Sequence, residues 1–136
     1  MSDAEPAGNS LTIVPGDLTV AQPSRAVLDV WAERQRQILE EGFTLADDDA
    51  HDAGELSRAA ACYARGMQFT EMTHRMGNSA NQLVDVPVDW PWSPDWWKPR
   101  SRREDLVRAG ALILAEIERR DRAEAAAAEA APGQGT

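Results

Sequence analysis

Residues 89–99 read DWPWSPDWWKP, and this short segment holds four of the five tryptophans of a 136-residue chain. Proline fixes its own φ and disfavours the helical region for the residue before it, so the segment is predicted to be extended and turn-like. Indole rings bury a large apolar area. We therefore predict that the segment folds back over a helical scaffold as part of the core or as a lid. The alternative is that its rings line a binding place for a planar or apolar molecule.

The longest helix is predicted directly after this segment. Ser101 and Glu104 have the spacing of a capping box, in which each side chain accepts a hydrogen bond from the other residue's backbone. Leu106, Ile113 and Ile117 follow as an apolar line at helical spacing, which predicts that they face the core. The alanine-rich stretch that follows has helix propensity but no apolar stripe, so we expect it to protrude and fray.

A first helix is predicted over residues 25–41, with Ser24 as its N-cap. Its predicted buried stripe is Val27, Trp31 and Ile38, with Leu28 and Val30 flanking it. Glycine at position 42 is expected to end it.

Two shorter helices are predicted between the first helix and the tryptophan segment. Asp52 and Glu55 suggest a capping box for the earlier one, whose buried side chains would be Leu56, Ala59, Ala60 and Tyr63. The later one is the stretch TEMTHRM, residues 70–76, where Met72 and Met76 recur at helical spacing with Phe69 directly before the stretch.

The sequence as a whole predicts a mainly α, compact domain of three to four helices with the Trp/Pro-rich loop. Residues 1–23 are predicted to be a flexible tail in which LTIVPGDLTV is compatible with a short β-hairpin around Pro15 and Gly16. Residues 24–123 would form the single helical domain, and 124–136 a frayed helix end and tail.

The net charge of the chain favours some classes of binding partner over others. The formal net charge is −9, which disfavours direct binding to nucleic acid and suits a partner with a basic surface. No apolar run approaches the length of a membrane span, and we expect a cytoplasmic protein. Cys62 is the single cysteine, and the small residues around it favour a buried structural thiol over a reactive one.

The tryptophan segment and the basic PRSRR stretch after it form the candidate ligand site. Indoles can stack on a nucleobase, and guanidinium groups at a helix N-terminus can hold a phosphate. The candidate ligand-binding residues are Trp96, Trp97, Lys98, Arg102 and Arg103. The alternatives are that the rings only pack and that the arginines pair with acidic residues 47–55.

Residues 47–55, DDDAHDAGE, are the densest cluster of acids. Asp47, Asp48 and Asp49 are the candidate contacts for a basic protein partner. Clustered carboxylates also suit a hard metal ion, and a magnesium site would draw on Glu41, His51, Glu55 and Asp105. The competing explanation is that these acids cap helices and favour their positive ends.

Signals for catalysis are weak throughout the chain. The serines lack a nucleophile-elbow context, and no phosphate-cradling glycine loop is present. His74 lies in a Met-rich stretch with no recognised catalytic motif around it, which favours a packing or surface role. No catalytic residue is assigned.

Three segments carry a resemblance to known families: AERQRQILEEGFTLADDDAHDAGELSRAAACYA, WPWSPDWWKP and RREDLVRAGALILAEIERRDR. Over residues 30–122 they resemble a family of small uncharacterised phage and prophage proteins, which implies a viral or mobile-element origin. The helix order is more weakly similar to the ryanodine-receptor repeat domain and to MazG-like all-α nucleoside triphosphate pyrophosphohydrolases. The MazG-type resemblance implies magnesium held by Glu-x-x-Glu and Glu-x-x-Asp motifs, whereas Glu40 and Glu41 are adjacent here and Glu55 stands alone.

These observations lead to an expected function as a phage or prophage accessory protein that acts by binding in the host cytoplasm. It would bind a host or defence-system protein through its acidic surface, or a small nucleotide through its Trp/Arg segment, with no cofactor. The alternative is a divergent MazG-like pyrophosphohydrolase that uses Mg²⁺.

Overall fold

The last helix is the scaffold on which the other helices pack. The structure, a computed structural model, describes residues 21–40, 44–67 and 72–131. Within them the helices are α1 (Arg25–Glu40), α2 (Leu45–Ala50), α3 (Glu55–Arg65) and α4 (Arg102–Ala130). Helix α4 contacts each of the other three. The predicted mainly α fold is confirmed.

Helix α3 packs most extensively on α4 because small side chains let the two backbones approach closely. Ala59 and Ala60 of α3 and Ala109 and Ala115 of α4 are all buried in the same core cluster. The predicted buried face of α3 is confirmed, since Leu56 and Tyr63 are buried there as well. None of the described helices is both long and apolar enough to cross a bilayer.

The predicted buried stripe of α1 is wrong. Val27 and Trp31 are 58% and 61% exposed, and the buried side chains of α1 are Arg34 and Gln37. Of the predicted flanking residues, Val30 does contact α4, since its side chain would lie 3.1 Å from a Cβ added at Gly110. Successive residues of an α-helix are rotated by about 100° around its axis, so side chains one position away from the predicted stripe face a different direction. Charged partners on α2 and α4 favour burial of Arg34.

The predicted apolar line of α4 is wrong for a related reason. Leu106, Ile113 and Ile117 are each about half exposed. The core face instead carries alanines with Leu112, and its two ends are Asp105 and Glu116. The alanines fit the close approach of α3, which larger side chains would prevent.

Two of the three predicted helix starts are confirmed. Ser24 Oγ accepts from the Val27 backbone N–H at 3.2 Å. Ser101 and Glu104 form the predicted capping box, with reciprocal distances of 3.2 and 3.3 Å. The predicted box at Asp52 is wrong because α3 begins after Gly54, which has φ +86°. A left-handed backbone suits glycine there, and the capping box in this region belongs to Thr44 and Asp47 at α2.

The predicted third helix, TEMTHRM, is wrong over its described residues. Strand β1 (Thr73–Gly77) pairs antiparallel with β2 (Leu83–Pro87), so that Thr73 lies opposite Pro87. The side-chain oxygen of Asn78 accepts the N–H groups of Ala80 and Gln82, which fixes the reversal between the strands. The hairpin predicted within residues 11–20 and the position of Phe69 lie outside the described residues.

The tryptophan segment lies against α3, as predicted for a core or lid. Trp90 and Trp97 are buried in the core cluster. A 3-10 turn, Pro94–Trp96, lies between them, and Ser93 caps it. The segment therefore has the extended and turn-like backbone that its prolines predict.

Candidate functional site

Tyr63 on α3 holds the tryptophan segment in place. Its ring centroid lies 4.7 Å from that of Trp97 and 5.6 Å from that of Trp90, the latter in an edge-to-face arrangement. Its hydroxyl accepts from the Lys98 backbone N–H at 3.3 Å and donates to the Trp96 carbonyl at 3.5 Å. Burial raises the pKa of Tyr63 above its usual value, so the phenol stays neutral. Ring packing and hydrogen bonds thus fix the same segment.

A cavity of about 410 Å³ lies between this segment and the helices. Its aromatic walls are Tyr63, Trp90, Trp92 and Trp96. His51 adds another ring, since its centroid lies 5.3 Å from that of Trp92. Small-molecule sites have this size and are mostly apolar with a few polar groups. A flat ring would fit against these walls.

Cations form one edge of the cavity. Lys98, Arg100 and Arg108 line it, and none of the three forms an ion pair with a carboxylate among the described residues. The Lys98 ammonium lies 5.8 Å from the Trp96 ring centroid, and the Arg108 guanidinium lies 5.5 Å from that of Tyr63. Arg108 also donates to the Lys98 carbonyl. This edge of the cavity is suited to an anionic group.

Gln37 contributes a polar group to the lining from α1, with only 3% of its surface exposed. Its Nε2 donates to Glu33 Oε2 at 3.3 Å, and its buried Oε1 has no hydrogen-bond partner among the described residues. A carboxylate can only accept, so the Glu33 contact fixes which end of the amide is nitrogen. Burial alone would raise the pKa of Glu33, but Arg36 lowers it below its usual value.

A buried charged network connects three helices beside the cavity. Arg34 of α1 donates to Asp48 of α2 at 2.8 Å and to Glu118 of α4 at 2.8 Å. Arg34 and Asp48 are each 1% exposed. Burial raises the pKa of Asp48 even though Arg34 acts in the opposite direction. The network holds α2, and with it Asp47 and His51, at the cavity.

The structure brings only some of the predicted ligand-binding residues to the cavity. Trp96 and Lys98 line it, with Trp96 51% exposed. Trp97 is buried behind it in the core. Arg102 donates to the Tyr63 and Ala64 carbonyls at the end of α3, and Arg103 pairs with Asp29 at 2.9 Å.

The cavity also uses residues that the sequence analysis did not select, namely Tyr63, Gln37, Arg100 and Arg108. Arg100 belongs to the basic stretch after the tryptophans, and the composition of that stretch indicated a cationic site. Nothing in the sequence indicated Gln37 or Arg108, because their place on the lining depends on how α1 and α4 are rotated about their axes.

The three candidate acids for a protein partner have different surroundings. Asp47 lines the cavity and caps α2. Asp48 is buried against Arg34, so it offers almost no surface to a partner. Asp49 accepts from Arg122 at 2.7 Å and remains partly exposed.

The candidate metal ligands are not all gathered in one place. His51 Nδ1 and Glu55 Oε2 lie 3.9 Å apart. Asp105 accepts the Arg100 backbone N–H at 2.8 Å, at the start of α4. Glu41 lies outside the described residues. Across residues 21–40, 44–67 and 72–131, no three His, Cys, Asp or Glu side chains are grouped as metal ligands would be.

No family model, curated protein or solved structure matches this chain.

Cys62 lies behind the site and is predicted to be unreactive in the folded protein. It is fully buried, and burial together with the negative charge of Asp89 raises its pKa to about 12. The thiolate is the reactive form, so iodoacetamide at about pH 8 should leave the native thiol unmodified. Mass spectrometry should show complete alkylation in guanidinium chloride, where the thiol pKa returns to about 8.5. Equal labelling rates in native and denaturing buffer would contradict the buried position.

Proposed function

We propose that this protein is a non-enzymatic accessory protein that binds a small nucleotide in the aromatic cavity. The observation that carries the proposal is the combination of tryptophan and tyrosine walls with a cationic edge in one cavity of about 410 Å³. The origin in a phage or prophage, and action in the host cytoplasm, are part of the same proposal and rest on the sequence resemblance alone.

The nucleobase would stack on the aromatic walls. Trp96 offers the largest accessible ring because half of its surface is exposed, whereas Trp90 is buried in the core. Stacking on one aromatic side chain contributes about 1–3 kcal/mol per base. Gln37 Oε1 supports recognition of a base with an amino group, because an unpaired buried carbonyl oxygen gains from a donor.

The phosphate would lie at the cationic edge. Lys98, Arg100 and Arg108 line the cavity without ion-pair partners among the described residues, so binding a phosphate would not require breaking one of their ion pairs. Hydrogen bonds from charged donors to phosphate are roughly twice as strong as neutral ones. Of the acids on the lining, Glu33 pairs with Arg36 at 2.6 Å and Asp48 with Arg34 at 2.8 Å, so that Asp47 is the acid to set against these three cations.

We predict that Trp96→Ala weakens nucleotide binding about 5- to 150-fold, which corresponds to the stacking energy of one base. Calorimetric titration of the full-length protein with a panel of mono-, di- and triphosphates would measure the change. Trp31→Ala is the matched control, because Trp31 is similarly exposed on α1 and does not line the cavity. The proposal fails if neither the wild type nor either variant binds any nucleotide, or if both substitutions have the same effect.

The same titration distinguishes the competing functions. It is repeated with Mg²⁺, and released pyrophosphate is assayed. Magnesium-dependent pyrophosphate release would favour the pyrophosphohydrolase, in which His51 at the cavity and Glu55 beside it would act. Absence of both nucleotide binding and hydrolysis would favour the alternative that the protein binds a basic protein partner through Asp47 and Asp49.

A further inference from the structure

A second groove of about 330 Å³ adjoins the aromatic cavity. The two share one wall, formed by Glu33, Arg36, Arg100 and Arg108. A ligand in the first cavity therefore contacts residues, Arg100 and Arg108 among them, that also line the second groove.

The lining of the second groove differs from that of the first. It has no aromatic side chain, and its apolar residues are Ala32 and Val107. Arginine is its most frequent residue, since Arg103 joins the three arginines of the shared wall. A second planar ring would have no aromatic side chain to stack on. An anionic chain, in contrast, would lie among four arginines, whose guanidinium groups bind phosphate.

The acids of this groove already have partners. Asp29 pairs with Arg103 at 2.9 Å, and Glu33 pairs with Arg36 at 2.6 Å. Glu104 is used in the α4 cap, where hydrogen bonding with the Ser101 side chain and with its backbone N–H lowers the pKa of Glu104 below the usual value. Arg100 and Arg108 form no ion pair among the described residues, and four arginines against three acids leave this groove one excess positive charge.

We propose that the ligand is a nucleoside di- or triphosphate whose phosphate chain runs from the aromatic cavity, past Arg100 and Arg108, into the second groove. The inference rests on the proposed nucleotide site and adds the length of the anionic chain. The base lies against the indoles and the first phosphate meets the shared wall. The later phosphates reach Arg103, whose Nη1 contacts Asp29 and whose other guanidinium N–H groups would bind them.

The expected result is an affinity that increases about tenfold from monophosphate to triphosphate for the same base, the size of effect expected from one added charge-assisted hydrogen bond. The full-length protein is titrated by calorimetry with AMP, ADP and ATP, and with the guanine series, in magnesium-free buffer containing a chelator. Arg103→Gln should reduce the affinity for the triphosphate to near that for the monophosphate and leave the monophosphate unchanged. Arg103 is the test position because it lines only the second groove.

Arg58→Gln is the matched control, because Arg58 is an exposed arginine of α3 that lines neither cavity. Thermal melting of both variants confirms that they are folded. Equal affinity for mono- and triphosphate, or an equal effect of Arg103→Gln on both, would overturn the chain-length inference and leave the nucleotide site standing. Binding of no nucleotide at all would overturn the nucleotide site as well.

Discussion

Trp97→Ala is expected to lower the free energy of unfolding by about 3–5 kcal/mol, the range for removing a large aromatic side chain from a core. Trp97 is 7% exposed and belongs to the core cluster with Leu56 and Ala109. Its ring packs against both Tyr63 and Trp90, so its loss removes one packing partner from each of these two rings. Urea or guanidinium denaturation followed by circular dichroism would measure the change.

The neighbouring residue provides the control for this prediction. Trp96→Ala removes the same side chain from an adjacent position that is 51% exposed, so its effect on unfolding should be much smaller. The two variants are expected to divide the roles, with Trp97 mainly stabilising the fold and Trp96 mainly affecting binding. Equal destabilisation by both substitutions would show that the segment does not pack on α3 as described.

The features that the sequence predicted correctly depend on local chemistry. The Ser101–Glu104 capping box requires only residues three positions apart, and the prolines determine the backbone of their own segment. The apolar face of α3 was also predicted correctly, because its buried side chains are ordinary core residues at helical spacing. In each case no distant residue changes the local preference.

The faces of α1 and α4 could not be predicted because distant partners determine them. Arg34 is buried only because Asp48 and Glu118 accept its hydrogen bonds from two other helices. Likewise, the alanine face of α4 is buried because α3 also presents alanines. Apolar periodicity ranks the isoleucines above alanine and arginine, and it contains no information about these pairings.

The candidate site was predictable in its composition but not in its geometry. Clustering of tryptophans next to arginines indicated where an aromatic and cationic site would lie, and Trp96 and Lys98 do line the cavity. The separation of Trp96 from Trp97 follows from the 3-10 turn, which directs adjacent indoles to different surroundings. Gln37 enters the site through the rotation of α1, which the Arg34 network sets.

Replacing Arg34 with methionine is expected to lower the free energy of unfolding at neutral pH by about 3–5 kcal/mol, as for other buried ion pairs that lose one partner. Methionine keeps much of the side-chain volume, so the main cost is an ionised Asp48 left buried without its cation. Chemical denaturation at several pH values would measure the change. Arg75→Met is the control, because it removes an exposed pair with Asp85 and should cost under about 1 kcal/mol.

The pH dependence separates this electrostatic cause from simple loss of packing. Burial already raises the pKa of Asp48, and loss of Arg34 should raise it further. An acid whose folded-state pKa lies above its unfolded value of about 3.9 destabilises the fold as pH rises, because the folded state must then hold the unfavourable charge. The deficit of Arg34→Met should therefore be largest at neutral pH and shrink as pH falls toward about 4. Adding Asp48→Leu should remove most of the deficit and its pH dependence together, whereas a deficit that stays constant with pH would assign the role of Arg34 to packing alone.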